Sequence, residues 1–546
     1  MSSPSATYKA EWLPKVQLYR QRLADSIPKE YLLDDTKVPE DLDTVPFNAV
    51  SFLYNEKLLS EREFAITDLK CETLAAKIAA SEYSSVEVLK AFTKRAVICH
   101  QLTHFATEFF FDQALERAAE LDAYLERTGS TVGPFHGLPI SLKDELHIRG
   151  KVMHLGNVSR VETVSETSHI SARVLEELGA VFFVRTNIPQ AMLFLDGVNN
   201  LTGRRTTNPI NSTLTTGGSS SGEAVSATFR AAALSVGTDM GGSIRLPAAF
   251  SGCSGFKPTG KRIANGTGYN GQDAIQTTSG PMSKYPEDLQ FFMKHYINDG
   301  KPWTKNASLV RVPWITGPAS QKLLKVGIMY DDGVTRPLPA IERGLRFAAE
   351  KLDAAADVEV VEFFPIKPQE LLELGSRFFS LDDGPAKLGV LAESNEPLFP
   401  MAQEAMNGGG KEFTASENRE LTFTRDAIKD DFNNYMVEYK IDVILTAVHL
   451  NVATVPQKST FSSYTLPFNV LDMPAVTIQT GLFQDPAVDV IKGERTGFRS
   501  DMEKTEWSGY NAETHRGAPI GVQLIGKRFY DEELLNAAIY FTSLFK

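Results

Sequence analysis

Two hydroxyls and one amine in this sequence stand where such groups do chemistry. Ser219 and Ser243 each close a Gly-Gly-Ser turn, Gly217-Gly218-Ser219 and Gly241-Gly242-Ser243, and Lys143 closes the short apolar run Gly137–Leu142. A serine hydroxyl is a weak nucleophile at neutral pH and needs a base. A lysine serves as that base when it is neutral, and burial favours the neutral amine by penalising the charge. Paired glycines let the backbone take φ > 0 and approach a ligand closely. The run between the turns is dominated by Ala, Ser and Val, so its backbone can pack tightly in a core. Two turned hydroxyls joined by such a segment read as one site assembled twice from the same piece of chain. Taken alone, Ser243 fits a turn hydroxyl or helix N-cap better than a nucleophile, and Lys143 fits a strand-end charge reaching solvent.

Other patterns overlap this stretch. Gly218-Ser219-Ser220-Ser221-Gly222 satisfies GxSxG, the nucleophile elbow, with Ser220 as nucleophile and Asp472 and His515 as downstream partners. Against it, Asn211–Thr216 is not a buried strand, and the elbow leaves Lys143 and Gly241–Ser243 without a role. Gly217–Gly222 has the glycine spacing of a phosphate loop, but Glu223 stands where the lysine belongs. The nine histidines are scattered, His147 and His154 sharing one loop region, and Cys71, Cys99 and Cys253 lack metal or disulfide spacing.

The stretch Thr215–Pro247 resembles the amidase signature family of serine amidohydrolases. The segments that carry the likeness are Gly217–Gly222, Gly237-Thr238-Asp239-Met240-Gly241-Gly242-Ser243-Ile244-Arg245-Leu246-Pro247 and, upstream, Gly137-Leu138-Pro139-Ile140-Ser141-Leu142-Lys143-Asp144. Within the family the chain looks most like fungal acetamidase-type enzymes, from about Ile66 to Gly517–Arg528. It departs at Ala227, Thr228 and Ser221. The resemblance implies an amidase with Ser243 as nucleophile, Ser219 as relay after a cis peptide bond, and Lys143 as base. It implies an oxyanion hole from the backbone N–H groups of Met240, Gly241, Gly242 and Ser243. Ser219 and Met192 are the implied substrate-binding residues, with Leu193, Phe194 and the Ile263–Gly271 loop as further wall pieces. No metal and no organic cofactor is implied. Asp144 is read as orienting Lys143 or as structural, and Asp239 with Arg245 as a charged pair that fixes the loop. An amidotransferase-type subunit and a degenerate amidase-fold binding protein are the alternative functions.

The 546 residues are 42% hydrophobic and 23% charged, enough for a large core. The net charge of −12 argues against non-specific nucleic-acid binding, which needs a basic face. No run of about 18 apolar residues and no apolar N-terminal stretch is present, so neither membrane span nor secretory signal is expected, and the expected location is cytoplasmic. Residues 1–65 read as a covering segment with a helix at Ala10–Ala24 and as a candidate homodimer contact; residues 66–546 read as the catalytic domain. Ser84-Ser85-Val86-Glu87 spells a capping box. Helices are expected at Phe111–Leu125, Ser171–Leu178 and Pro339–Ala354. Strands are expected at Gly137–Leu142, Ala180–Val184, Leu324–Met329, Val358–Phe364, Ile441–Thr446, Ala475–Gln479 and Gly521–Ile525. Gly408-Gly409-Gly410 reads as a break and Gln484–Arg516 as a polar surface excursion. This rhythm predicts one α/β/α domain with a central mixed sheet covered by helices on both faces.

Overall fold

A computed structural model describes residues 6–42, 44–266, 271, 273–316, 323–382, 390–406, 411–458 and 462–546. Gly408-Gly409-Gly410 and residues 267–270 of the Ile263–Gly271 loop lie outside the described residues.

Eleven strands form one sheet: β1 Ala106–Phe109, β2 Pro139–Lys143, β3 Val181–Thr186, β4 Leu234–Asp239, β5 Ser254–Lys257, β6 Thr278–Ser283, β7 Leu324–Met329, β8 Val358–Glu362, β9 Val443–Ala447, β10 Ala475–Phe483 and β11 Pro519–Gly526. Their spatial order is β1-β3-β2-β4-β6-β5-β10-β11-β9-β7-β8. β3, β2 and β4 run parallel, as do β9, β7 and β8, and the strands between these sets are antiparallel. The sheet is therefore mixed. Every residue of β2, β4, β6 and β11 is buried. Successive side chains of a strand point to opposite faces, so full burial means that both faces are covered. The α/β architecture read from the sequence is the one observed.

The elements that carry the site are short and tightly packed. The serine stretch folds as turn, helix Ser221–Phe229, strand β4, second turn and helix Arg245–Ser251. All nine residues of the first helix are buried, which its Ala, Ser and Gly content permits by letting neighbours approach. β4 reads Leu-Ser-Val-Gly-Thr-Asp, with only Leu234 and Val236 apolar, and the sequence reading passed over it. Its hydroxyls find partners inside the core: Ser235 Oγ and Ser141 Oγ are hydrogen-bonded at 3.0 Å. β1, β5 and β6 were missed for the same reason of length and composition.

Two local expectations need correction. At the helix Ser85–Thr103, Ser84 Oγ accepts from Glu87 N at 3.0 Å. The return half of the box is not made, because Glu87 pairs instead with Arg62 at 2.6 Å. Gln484–Arg516 is no mere excursion. It contains the helix Asp501–Gly509, whose fully buried Glu503 pairs with Arg336 at 2.6 Å and Arg495 at 3.1 Å. The N-terminal helix spans Ala6–Ser26, and its Val16 and Tyr19 pack with Val158, Val161 and Leu201. No described helix is long and apolar enough to cross a membrane.

Candidate active site

The two Gly-Gly-Ser turns meet. Ser220 N donates to Ser243 O at 3.1 Å, which ties the first turn to the second. The Gly218–Ser219 peptide bond is cis. A Cβ on Gly218 would lie 2.6 Å from Phe194 O, so only glycine fits beside that carbonyl. Ser220 Oγ donates to Thr238 O at 3.2 Å and accepts from Thr238 N at 3.3 Å. Ser221 Oγ donates to Gly217 O at 2.8 Å and Asp196 O at 3.0 Å. Both hydroxyls are spent on backbone.

Lys143 ends β2 fully buried, with Nζ 2.8 Å from Ser219 Oγ and 2.5 Å from Thr238 Oγ1. Thr238 Oγ1 donates in turn to Glu145 Oε2 at 2.5 Å, and that carboxylate lies 3.5 Å from Nζ. Burial pushes the amine below the ordinary lysine value; Glu145, then Asp239 and Glu223, pull the other way and do not cancel it. Glu223 is held by hydroxyls alone, Ser141 at 2.6 Å and Thr186 at 2.8 Å. Its own burial raises its carboxyl to about 7 against those donors. Sequence reasoning missed Thr238 and Glu145 as partners of Lys143. Alternation supplied a signal: Glu145 lies two residues after Lys143, and Thr238 stands on the neighbouring parallel strand.

The second turn is fixed by Asp239. Its carboxylate accepts from Gly242 N at 2.9 Å and Ile244 N at 3.1 Å, and receives Arg245 Nε and Nη2 at 3.0 Å each. Burial works against this carboxyl's charge, but Arg245 and Asn469 outweigh it and hold the group well below the usual range. Gly242 has φ +129, and a Cβ there would lie 2.6 Å from Leu246 Cδ1. Because Gly242 N–H is turned to Asp239, the four backbone donors inferred from the sequence reduce to three without partners among the described residues: Met240, Gly241 and Ser243. Ser243 is half-buried, and its Oγ has no hydrogen-bond partner among the described residues. It caps no helix: the N-cap of Arg245–Ser251 is Ile244. No hydrogen bond joins Ser219 Oγ to Ser243 Oγ in this conformation.

The remaining candidates sort out by contact. Asp144 does not orient Lys143 through a side-chain bond. Its carboxylate accepts from Leu155 N at 2.6 Å and faces Arg185 at 3.7 Å. Met192 sits in the turn Gln190–Met192 with φ +59, two residues before the Phe194 carbonyl that abuts Gly218. The Phe194 ring packs instead with Phe399 and Met401. A wall the sequence did not reveal is Phe379: a Cβ on Gly241 would lie 3.2 Å from its Cζ. Phe379 also borders a cavity of about 380 Å³ with Phe378, Leu381 and Arg425. The elbow partners go elsewhere: Asp472 takes Gly260 N at 2.8 Å and Arg528 at 2.7 Å, and His515 Nδ1 lies 3.0 Å from Ala453 O.

Comparison with known proteins completes the picture. The family model described as Amidase matches residues 87–535. An amidase of Gibberella moniliformis is 34% identical over 542 residues, covering 97% of this chain and 98% of its own. The acetamidase of Emericella nidulans is 32% identical over 542 residues, covering 95% of each. A solved structure of a fatty acid amide hydrolase superposes with a TM-score of 0.96 at 43% identity, covering 99% of this chain and 96% of that one. Family model, relatives and solved structure lead to one conclusion: the chain belongs to the amidase signature family and is an amide-hydrolysing enzyme.

Proposed function

We propose that hydrolysis runs through an acyl-enzyme on Ser243, with Ser219 as proton relay and Lys143 as general base. The observation that carries this reading is the 2.8 Å approach of a fully buried lysine to Ser219. A neutral amine offers one lone pair and two N–H donors. Thr238 Oγ1 gives its hydrogen to Glu145, so toward Lys143 it can only accept. That puts one amine N–H on Thr238 and leaves the second N–H and the lone pair; in this reading the lone pair turns to the Ser219 hydroxyl for proton transfer. Rotation of the free Ser243 side chain brings its Oγ–H onto Ser219 Oγ and closes the relay.

Ser243 Oγ then attacks the amide carbonyl carbon while its proton passes to Ser219 and that of Ser219 to Lys143. The oxyanion takes the N–H groups of Met240, Gly241 and Ser243; removing one such donor typically costs about 3–4 kcal/mol. The proton returns by the same relay to the leaving nitrogen, the C–N bond breaks, and ammonia or an amine departs. Water repeats the sequence on the ester and releases the acid. Met240, Phe379 and Leu466 form an apolar cluster around the second turn, so the favoured acyl group is apolar. The named relatives bracket it, one an acetamidase and one a fatty acid amide hydrolase.

Labelling with a fluorophosphonate, followed by peptide mass spectrometry, tests the nucleophile. The adduct is expected on Ser243. Ser243→Ala is expected to stay folded, take no label and lose roughly 10⁵–10⁶-fold in kcat. An adduct on Ser220, or substantial turnover by folded Ser243→Ala, overturns the assignment.

A further inference from the structure

The end of β2 faces a second compartment. A cavity of about 370 Å³ lies beneath the N-terminal helix, between Leu23 on that helix, Thr107 on β1, Asp144 and Arg185 on β3. Five side-chain atoms on its walls are buried without a hydrogen-bond partner: Thr107 Oγ1, Asp144 Oδ1, His154 Nε2, and Nε and Nη2 of Arg185. Their residues are all at most 2% exposed. Buried polar groups are normally paired, and here unpaired ones gather around one space.

Their chemistry is specific. Arg185 spends Nη1 on Val152 O and keeps its Nε–Nη2 edge free. That edge presents two parallel N–H donors, the pattern that matches the two oxygens of a carboxylate. His154 Nδ1 accepts from Gly156 N at 3.0 Å, and burial holds the ring below the usual histidine value, so the neutral ring carries its hydrogen on Nε2 as a third donor. Asp144 Oδ1, 3.7 Å from Arg185 Nη1, and Thr107 Oγ1 are free acceptors a short step away. Arg22 and Arg185 stand against Asp25, Glu108 and Asp144, and Lys151 adds a cation 3.6 Å from Glu108. The signs balance, which selects a ligand that carries both charges and no net charge. Leu23, Val152 and Val161 supply an apolar wall.

We propose that this cavity binds an aliphatic α-amino acid, with its carboxylate on the Nε–Nη2 edge of Arg185, its ammonium on Asp144 Oδ1 and Thr107 Oγ1, and its side chain against Leu23, Val152 and Val161. The site is separate from the serine turns and does not depend on the mechanism above. The two sites adjoin at the ends of β2 and β3, where Lys143 is followed by Asp144 and Arg185 by Thr186.

Titration calorimetry of the full chain with L-leucine tests the proposal. 4-Methylpentanoate, which lacks the ammonium, and isopentylamine, which lacks the carboxylate, serve as controls. Saturable binding of leucine at one site is expected, with each control at least about tenfold weaker because one charged contact set is gone. Arg185→Gln should abolish binding. Leu23→Trp, on the half-buried outer helix, should abolish it by filling the cavity, and carries the test if Arg185→Gln does not fold. A crystal grown with leucine should hold the ligand between Arg185 and Asp144. The proposal is overturned by no heat with leucine, by equal affinity for either control, by unchanged affinity in Leu23→Trp, or by leucine located elsewhere.

Discussion

The two turns share a tripeptide and little else. In the first, Ser219 is 3% exposed and its side chain is held against Lys143, while its neighbours Ser220 and Ser221 anchor the turn to β4 and to Gly217 and Asp196. In the second, Asp239 holds the backbone through two N–H groups and Arg245, and the Ser243 side chain is left partly exposed without a partner. One turn fixes a side chain; the other fixes a backbone and frees a side chain. A relay needs the first condition, since its oxygen must stay on the base. A nucleophile needs the second, since its oxygen must reach a substrate while nearby amides stay aimed. The same three residues therefore suit the two different roles proposed for them through what their surroundings hold still.

This contrast breaks most visibly at Ser219 and Ser220. Ser219→Ala removes the link to Lys143 and should lower kcat roughly 10²–10⁴-fold, the range of general acid–base catalysis. Ser220→Ala loses only its bonds to the Thr238 backbone and should cost less than about tenfold. Steady-state kinetics of the two variants decide the matter; a dead Ser220 variant beside an unaffected Ser219 variant reverses the assignment.

The support behind the first turn should show a smaller effect with a definite sign. Lys143 is faced by Glu145, Asp239 and Glu223. Removing the Glu145 charge takes away the largest pull toward the protonated amine, so Glu145→Gln should move the rising limb of kcat/KM to lower pH. It should also lower kcat roughly tenfold, because Thr238 is then free to donate to the lone pair. Thr238→Ser should keep most activity and Thr238→Val should not. An unchanged limb in Glu145→Gln, or equal activity in the Thr238 pair, removes the proposed orientation.

A separate effect is on stability. Glu223 has a folded value of about 7, above the 4.5 of an ordinary glutamate. A raised value favours the protonated fold, so the stability it confers is full below about 4.5 and is lost as pH rises through about 7. The difference corresponds to a loss on the order of 3 kcal/mol. Thermal melts of parent and Glu223→Gln across this window should show a shallower decline in the variant. Parallel curves would mean that Glu223 titrates normally.

Much of this was legible because it is local. Leu324–Met329 is found as a strand with the bounds read from its apolar run, and the pair Asp239–Arg245 lies close enough in sequence to be read as one unit. β4 was not legible: its burial rests on hydroxyl partners from β2, which a hydropathy pattern does not record. Motif position offers Gly242 as an oxyanion donor but says nothing about which way its amide turns; here Asp239 Oδ1 takes that N–H at 2.9 Å. Phe379 comes from a helix more than a hundred residues downstream, so only the fold brings it to Gly241.

The central claim is that Lys143 is neutral at rest and takes the proton from Ser219. Its most direct test is kcat/KM against pH for the parent and for Lys143→Arg. Activity of the parent should rise along a limb that lies below the ordinary lysine range, since burial lowers this amine. Lys143→Arg should lose roughly 10³–10⁴-fold and the limb with it, because guanidinium stays charged and cannot accept a proton. If Lys143→Arg keeps substantial activity with the parent's pH profile, the base is another group and the account fails.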